Sequence, residues 1–233
     1  MNAWITLTSA DGTPVRAWQA QPAAGAPQRR AAVVVLPEIF GVNSHIRAVA
    51  EQYAAEGYLA LAIDTFARVE PGVELGYGAA DMQRGIALKA AAEALPTPGV
   101  QADIEAAVRH AGAASGGKVG VVGFCWGGLL AWRAACAVDG LSAAVCYYGG
   151  GMTNQTESAR SARVPVLAHF GERDHFIPAA GVQAFAQAHP DAQVHLYAAD
   201  HGFNCDQRAS YDAPATQAAR ERTLAFFARH LGA

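Results

Sequence analysis

Apolar residues fall in short blocks along this chain, and the blocks are of two kinds. Ala31–Leu36, Tyr58–Ile63, Lys118–Gly123, Ala143–Tyr148, Val164–Phe170 and Val194–Tyr197 are continuous rather than alternating. Continuous apolarity over strand-length segments fits strands covered on both faces. Between these runs, apolar positions recur at helical spacing. Ile46, Val49, Ala50 and Tyr53 share one face, as do Ile104, Ala107, Val108 and Ala111. A last helix is predicted from Pro214 to Leu231, with Leu224, Phe227, Ala228 and Leu231 in one stripe. Pro214 suits its first turn and Gly232 its end. Near the N-terminus, Trp4–Thr8 and Val15–Gln19 flank Asp11-Gly12, which predicts a β-hairpin. Gln21–Arg30 reads as a loop. The span Ala67–Gly99, with Gly72, Gly76, Gly78, Pro96 and Pro98, reads as one helix with loops near the site. Strand–helix alternation predicts an α/β chain with a mostly parallel central sheet, helices on both faces and an N-terminal hairpin. One domain over residues 1–233 is expected.

Composition narrows the function classes. Hydrophobic residues make up 52% of the 233 and charged residues 16%, enough apolar surface for a sizeable core. The net charge of −3 offers no electrostatic reason to expect nucleic acid or anionic lipid as a partner. The start, MNAWITLTSADG, lacks a basic stretch followed by an apolar run, so no signal peptide is expected. No run reaches the roughly 18 apolar residues of a membrane span. Cys125, Cys136, Cys146 and Cys205 form no CxxC pair and no zinc-like spacing. The expectation is a cytoplasmic protein with reduced thiols, no metal and no cofactor.

The strongest local signal is Gly123-Phe124-Cys125-Trp126-Gly127-Gly128, after the apolar run Lys118–Val122 and before an apolar helix from Leu129 to Val138. This is a strand–turn–helix with a nucleophile between glycines. The turn is so tight that glycines flank the central residue, which projects above the sheet edge. The helix N-terminus behind it favours a thiolate. The plainer reading is a buried cysteine in a glycine-rich turn. A dinucleotide fingerprint fits poorly, because its spacing is wrong.

The partners of such a nucleophile follow in the order acid, then histidine. Asp174 lies in Gly171-Glu172-Arg173-Asp174-His175-Phe176-Ile177-Pro178, just after an apolar run. His201 lies in Ala199-Asp200-His201-Gly202-Phe203, just after the next. Each alone reads as a turn or surface residue; together they sit at strand C-terminal ends, where open α/β sheets bind ligands. A neutral histidine takes the thiol proton, and the acid holds the imidazole in the required tautomer. A fourth element, Leu36-Pro37-Glu38-Ile39-Phe40-Gly41, ends the run Ala31–Leu36. Such loops supply one oxyanion-hole amide. The hole is assigned to the backbone N–H groups of Ile39 and Trp126. Glu38 is expected beside the nucleophile; a cap or a neighbouring ion pair is the other reading.

These motifs together resemble the dienelactone hydrolase family: Gly-Phe-Cys-Trp-Gly-Gly, Pro-Glu-Ile-Phe-Gly, Gly-Glu-x-Asp-x-x-Ile-Pro and Asp-His-Gly-Phe. The likeness covers nearly the whole chain, including Gly57-Tyr58 with Asp64 and Arg220-Glu221-Arg222-Thr223-Leu224. Cysteine at the elbow with glutamate after the early proline separates this family from serine esterases. The resemblance implies the α/β-hydrolase fold and a Cys125–His201–Asp174 triad. It implies that Glu38 takes the cysteine proton when substrate arrives. It implies hydrolysis of 4-carboxymethylenebut-2-en-4-olide (dienelactone) to maleylacetate as the leading activity, and a monomer or weak oligomer.

In the family pattern two arginines hold the substrate carboxylate. Arg84, in Asp81-Met82-Gln83-Arg84-Gly85, matches the first, and a solvated helix residue is its other reading. The second position, shortly after the histidine, holds Cys205 here, and Arg208 is the nearest arginine. If Arg208 does not reach, no cation restrains Glu38 and uncharged esters should be accepted well. That leaves a broader esterase as the alternative. A non-enzymatic thiol redox or binding protein needs neither triad nor oxyanion loop.

Overall fold

The computed structural model describes residues 2–25 and 27–232. Eight strands form one sheet: β1 (Ala3–Thr8), β2 (Pro14–Ala20), β3 (Ala31–Leu36), β4 (Leu59–Ile63), β5 (Lys118–Phe124), β6 (Leu141–Tyr147), β7 (Val166–Gly171) and β8 (Gln193–Tyr197). Seven helices cover it: α1 (Ser44–Ala55), α2 (Ala79–Glu93), α3 (Val100–Ser115), α4 (Trp126–Ala137), α5 (Gln155–Ser158), α6 (Ala179–Ala188) and α7 (Ala213–Leu231). The spatial order is β1-β2-β4-β3-β5-β6-β7-β8, parallel from β4 to β8 and antiparallel where the hairpin joins. No helix among the described residues is long and apolar enough to cross a membrane.

The strand sequences explain their places. β3 reads AAVVVL and all six residues are buried, as in β4. Side chains of β5 alternate between faces. Gly120 lies against Phe227 and Leu231 of α7, whereas Val119 meets Gly112 of α3. α7 and α3 therefore pack on opposite faces, and Tyr53 of α1 joins α7 through an edge-on contact with Phe227 at 6.0 Å. α1 starts where the Asn43 side chain accepts from the Ile46 N–H. α7 starts where Asp212 accepts from the Ala215 N–H, with Pro214 in the first turn.

Several boundaries differ from the sequence reading. The strand read as Val194–Tyr197 is the sheet edge, and β8 is mostly half-exposed rather than covered on both faces. The strand read as Ala143–Tyr148 starts at Leu141 and stops before Tyr148, whose φ of 37° no strand continues through. The elbow helix starts at Trp126, directly behind Cys125, because the turn is a single residue. α6 was not read as an element. The loop 21–30 holds no helix or strand in its described residues, and Ala26 lies outside them.

Candidate active site

Cys125 connects β5 to α4 with φ 55° and ψ −117°. A cysteine pays roughly 1–3 kcal/mol for such a backbone, so its surroundings must enforce it. The Cys125 N–H donates to Tyr147 O at 3.0 Å, and Gly128 and Gly150 N–H groups donate to Cys125 O at 3.0 and 3.2 Å. Gly123 lets the first turn of α4 fold back onto β5: a Cβ there would lie 1.9 Å from Gly127 O. The thiol is thereby pushed out at the edge where the parallel strands end, and it stays partly exposed.

The loops after β7 and β8 bring the other two groups to it. Asp174 is buried, and its Oδ1 accepts from the N–H groups of Phe176 (2.8 Å) and Ile177 (3.1 Å). Its Oδ2 faces His201 Nδ1 at 2.7 Å. An ionised carboxylate can only accept, so Nδ1 carries the proton and Nε2 is left for the thiol. Burial disfavours the imidazolium, but the Cys125 charge and the hydrogen bonds to Asp174 and Cys125 outweigh it and push His201 up to about 10. Once Cys125 is ionised, such a histidine can stabilise the thiolate and hold a proton ready for a leaving group. Tyr148 and Phe176 pack edge-on against the imidazole at 5.1 and 5.3 Å.

Glu38 sits beyond the end of β3 and is 1% exposed. Its Oε1 accepts from Arg208 Nη1 at 2.8 Å, while Oε2 is buried with no hydrogen-bond partner. Arg208 does reach, and the condition for an unrestrained Glu38 therefore fails. The reason is Gly202, with φ +80°: a Cβ there would stand 2.5 Å from Arg208 Nη1. The missing side chain leaves the guanidinium room to reach Glu38. Phe40 and Tyr77 flank it at 5.8 and 5.9 Å.

Arg84 is not drawn in. It pairs with Glu70, and both side chains are about half exposed. The Ile39 and Trp126 N–H groups donate to no protein acceptor among the described residues, as an oxyanion hole requires. The Trp126 indole N–H donates to Glu93 Oε1 at 2.7 Å and its ring stacks on Phe66 at 5.2 Å, which fixes one of the two amides.

Three contributors were not read from the sequence. Tyr148 has a buried hydroxyl without a partner; the signal was a tyrosine at the end of an apolar run before three glycines. Phe176, 76% exposed, has no sequence signature beyond its distance from Asp174. Glu93 is separated from Trp126 by 33 positions, and nothing local connects them. A groove of about 610 Å³ opens beside Val164–Val166 and Gln193, where β7 and β8 begin, and contains none of these residues.

Residues 15–231 match the model of the dienelactone hydrolase family. The carboxymethylenebutenolidase of Pseudomonas putida is 38% identical over 231 residues, covering 96% of this chain and 95% of that protein. The carboxymethylenebutenolidase of Pseudomonas sp. strain P51 is 35% identical over 202 residues, 84% of each. A crystal structure from Klebsiella pneumoniae assigned to dienelactone hydrolase is 30% identical, with a TM-score of 0.79, covering 98% of this chain and all of that one.

Proposed function

Because this chain belongs to the dienelactone hydrolase family and is a hydrolase of esters or lactones, we propose that it opens a carboxylated lactone by a Cys125–His201–Asp174 triad. Dienelactone, converted to maleylacetate, is the leading substrate. The observation that carries this reading is the buried Glu38–Arg208 ion pair with one glutamate oxygen unpartnered.

A substrate carboxylate competes with Glu38 for Arg208. Glu38 is then a buried carboxylate without its cation, and Oε2 takes the thiol proton. The thiolate attacks the lactone carbonyl, and the Ile39 and Trp126 amides receive the oxyanion. The acyl C–O bond breaks, His201 protonates the departing enolate oxygen, and a thioester remains on Cys125. His201 next deprotonates a water, which attacks the thioester; the C–S bond breaks, the thiolate takes its proton back from Glu38, and Glu38 pairs again with Arg208 as the product leaves. The leaving enol belongs to the same molecule and becomes the ketone of the product.

A second reading has its own support. With Arg84 tied to Glu70, a single arginine is left to hold the carboxylate, which favours a broader esterase. Dienelactone and p-nitrophenyl acetate, assayed on the wild type, Arg208→Met and Cys125→Ala, separate the two. The expected result is a wild-type preference for dienelactone in kcat/KM that Arg208→Met erases by tenfold or more, roughly the worth of one charge-assisted hydrogen bond. Equal preference in both proteins favours the broader esterase. More than about a tenth of the activity surviving in Cys125→Ala removes the triad itself.

A further inference from the structure

The turn between His201 and Arg208 contains a cysteine that the hydrolytic chemistry does not use. Cys205 is fully buried. Asn43 Nδ2 donates to the Tyr77 oxygen at 3.1 Å, which leaves the Tyr77 hydroxyl proton to point at Cys205. The Gln207 backbone N–H lies close enough to favour a thiolate at the same sulfur. Neighbours of this kind favour a thiolate, against the burial that opposes it.

His45, at the start of α1, is the second unusual group. Its side chain is 6% exposed, with Nδ1 at 3.1 Å from Asp206 Oδ1. Its Nε2 is buried with no hydrogen-bond partner. A buried ring nitrogen without a partner carries an uncompensated desolvation cost, which a bound cation would relieve. Ligand atoms of His45, Cys205 and Asp206 all lie within 4.8 Å of one another. A cavity of about 110 Å³, lined in part by His45, Asn204, Asp206 and Gln207, reaches two of the three residues, and the buried Cys205 is not part of its wall.

We propose that His45, Cys205 and Asp206 form a binding site for a thiophilic divalent cation of the zinc class, beside but separate from the catalytic thiol. One nitrogen, one sulfur and one carboxylate oxygen are the donors that such ions take, with water from the cavity in the fourth position. Zinc-type bonds of about 2.0–2.3 Å draw ligands to roughly 3.5 Å apart. Asp206 supplies that closure, because its side chain is 68% exposed and free to turn. Tyr77 and Gln207 then act as outer donors to the bound sulfur. Binding displaces the Cys205 thiol proton to solvent, so affinity rises with pH.

The Arg208 N–H donates to Cys205 O at 3.1 Å, so a cation here is fastened to the turn that carries Arg208 to Glu38. The test is binding of Zn²⁺ by competition with a chromogenic chelator, and of Co²⁺ by its thiolate charge-transfer absorption. The proteins are the full chain, Cys125→Ala, Cys125→Ala with Cys205→Ser, His45→Gln and Tyr77→Phe. One equivalent with the charge-transfer band is expected in the first two. The band should vanish with Cys205→Ser, and affinity should fall about tenfold or more in His45→Gln and Tyr77→Phe. Loss of binding in Cys125→Ala alone would place the ion on the catalytic thiol and overturn the proposal. So would a band that survives Cys205→Ser, or no band in the wild type. If Cys205→Ser does not fold, Asp206→Asn, at an exposed position, decides in its place: unchanged affinity there together with unchanged affinity in His45→Gln refutes the site.

Discussion

Gly202 shows how one absent side chain lets two distant charges meet. It follows His201 directly and adopts φ +80°, and its open Cα face is filled by the Arg208 guanidinium. An alanine there meets Arg208 Nη1 and, in addition, strains the backbone by roughly 1–3 kcal/mol. Arg208 has to retreat, and Glu38 loses its cation while Cys125 and Asp174 keep their places. Gly202→Ala is therefore expected to lose more activity on dienelactone than on p-nitrophenyl acetate, by about tenfold, the worth of one charge-assisted hydrogen bond. Steady-state kcat/KM on both substrates checks this. Equal losses would mean that the glycine serves only the His201 backbone.

Among the elements, α3 and the N-terminal hairpin are joined by a charge cluster rather than by apolar packing alone. Asp103 of α3 is fully buried. It accepts from the Ser9 hydroxyl at the hairpin turn and from Arg68 Nε and Nη2 at 2.9 and 2.8 Å. Arg68 also donates to Asp11, in the same turn, at 2.6 Å. Replacing one partner leaves the others desolvated without compensation, which costs more than the pair contributes. Asp103→Ala is expected to destabilise the protein by about 3 kcal/mol. The urea midpoint measures it. A change below about 0.5 kcal/mol, the usual scale of an ordinary surface substitution, would show that the hairpin is held by apolar contacts.

Across the whole molecule, one buried chain of hydrogen bonds ties β6, β7, β8 and α7. Arg222 Nη1 donates to the Tyr197 oxygen at 2.8 Å, so the Tyr197 hydroxyl donates on to His169 Nδ1 at 2.8 Å. His169 Nε2 then donates to Thr223 Oγ1 at 3.0 Å, which in turn meets Tyr147 OH at 2.8 Å. The chain has no room for a second proton on His169. Burial, with His195 stacked at 5.9 Å and Arg222 beyond, holds its pKa well below the ordinary value. The unfolded chain takes up a proton below about pH 6.5 that the folded chain refuses. Stability is thus intact above that pH and lost as pH falls, by up to about 1.4 kcal/mol per unit for this group. Melting curves between about pH 7.5 and 5.5 should show this decline, and His169→Gln, though less stable at neutral pH, should show a shallower one. Parallel slopes would assign the decline to other groups, His195 and His230 first, since both are also shifted down.

The order of the strands' chemistry was determined by the sequence itself. A parallel sheet delivers every strand's C-terminal end to one edge, so Cys125, Asp174 and His201, each placed just after an apolar run, had to converge. The tightness of the elbow was equally legible from its glycines, since only glycine tolerates the backbone contact behind Gly123, whereas the helix start, read at Leu129 and found at Trp126, was not. Tertiary structure alone decided what lies between loops. Glu38 and Arg208 meet across 170 positions because a side chain is missing at Gly202, and His45 meets Asp206 across 161. Sequence periodicity records which face of an element is buried, and it carries no record of which loop side chain is long enough, and unobstructed enough, to reach another. That depends on packing of the complete molecule, as does the half-exposure of β8, an apolar strand left at the sheet edge.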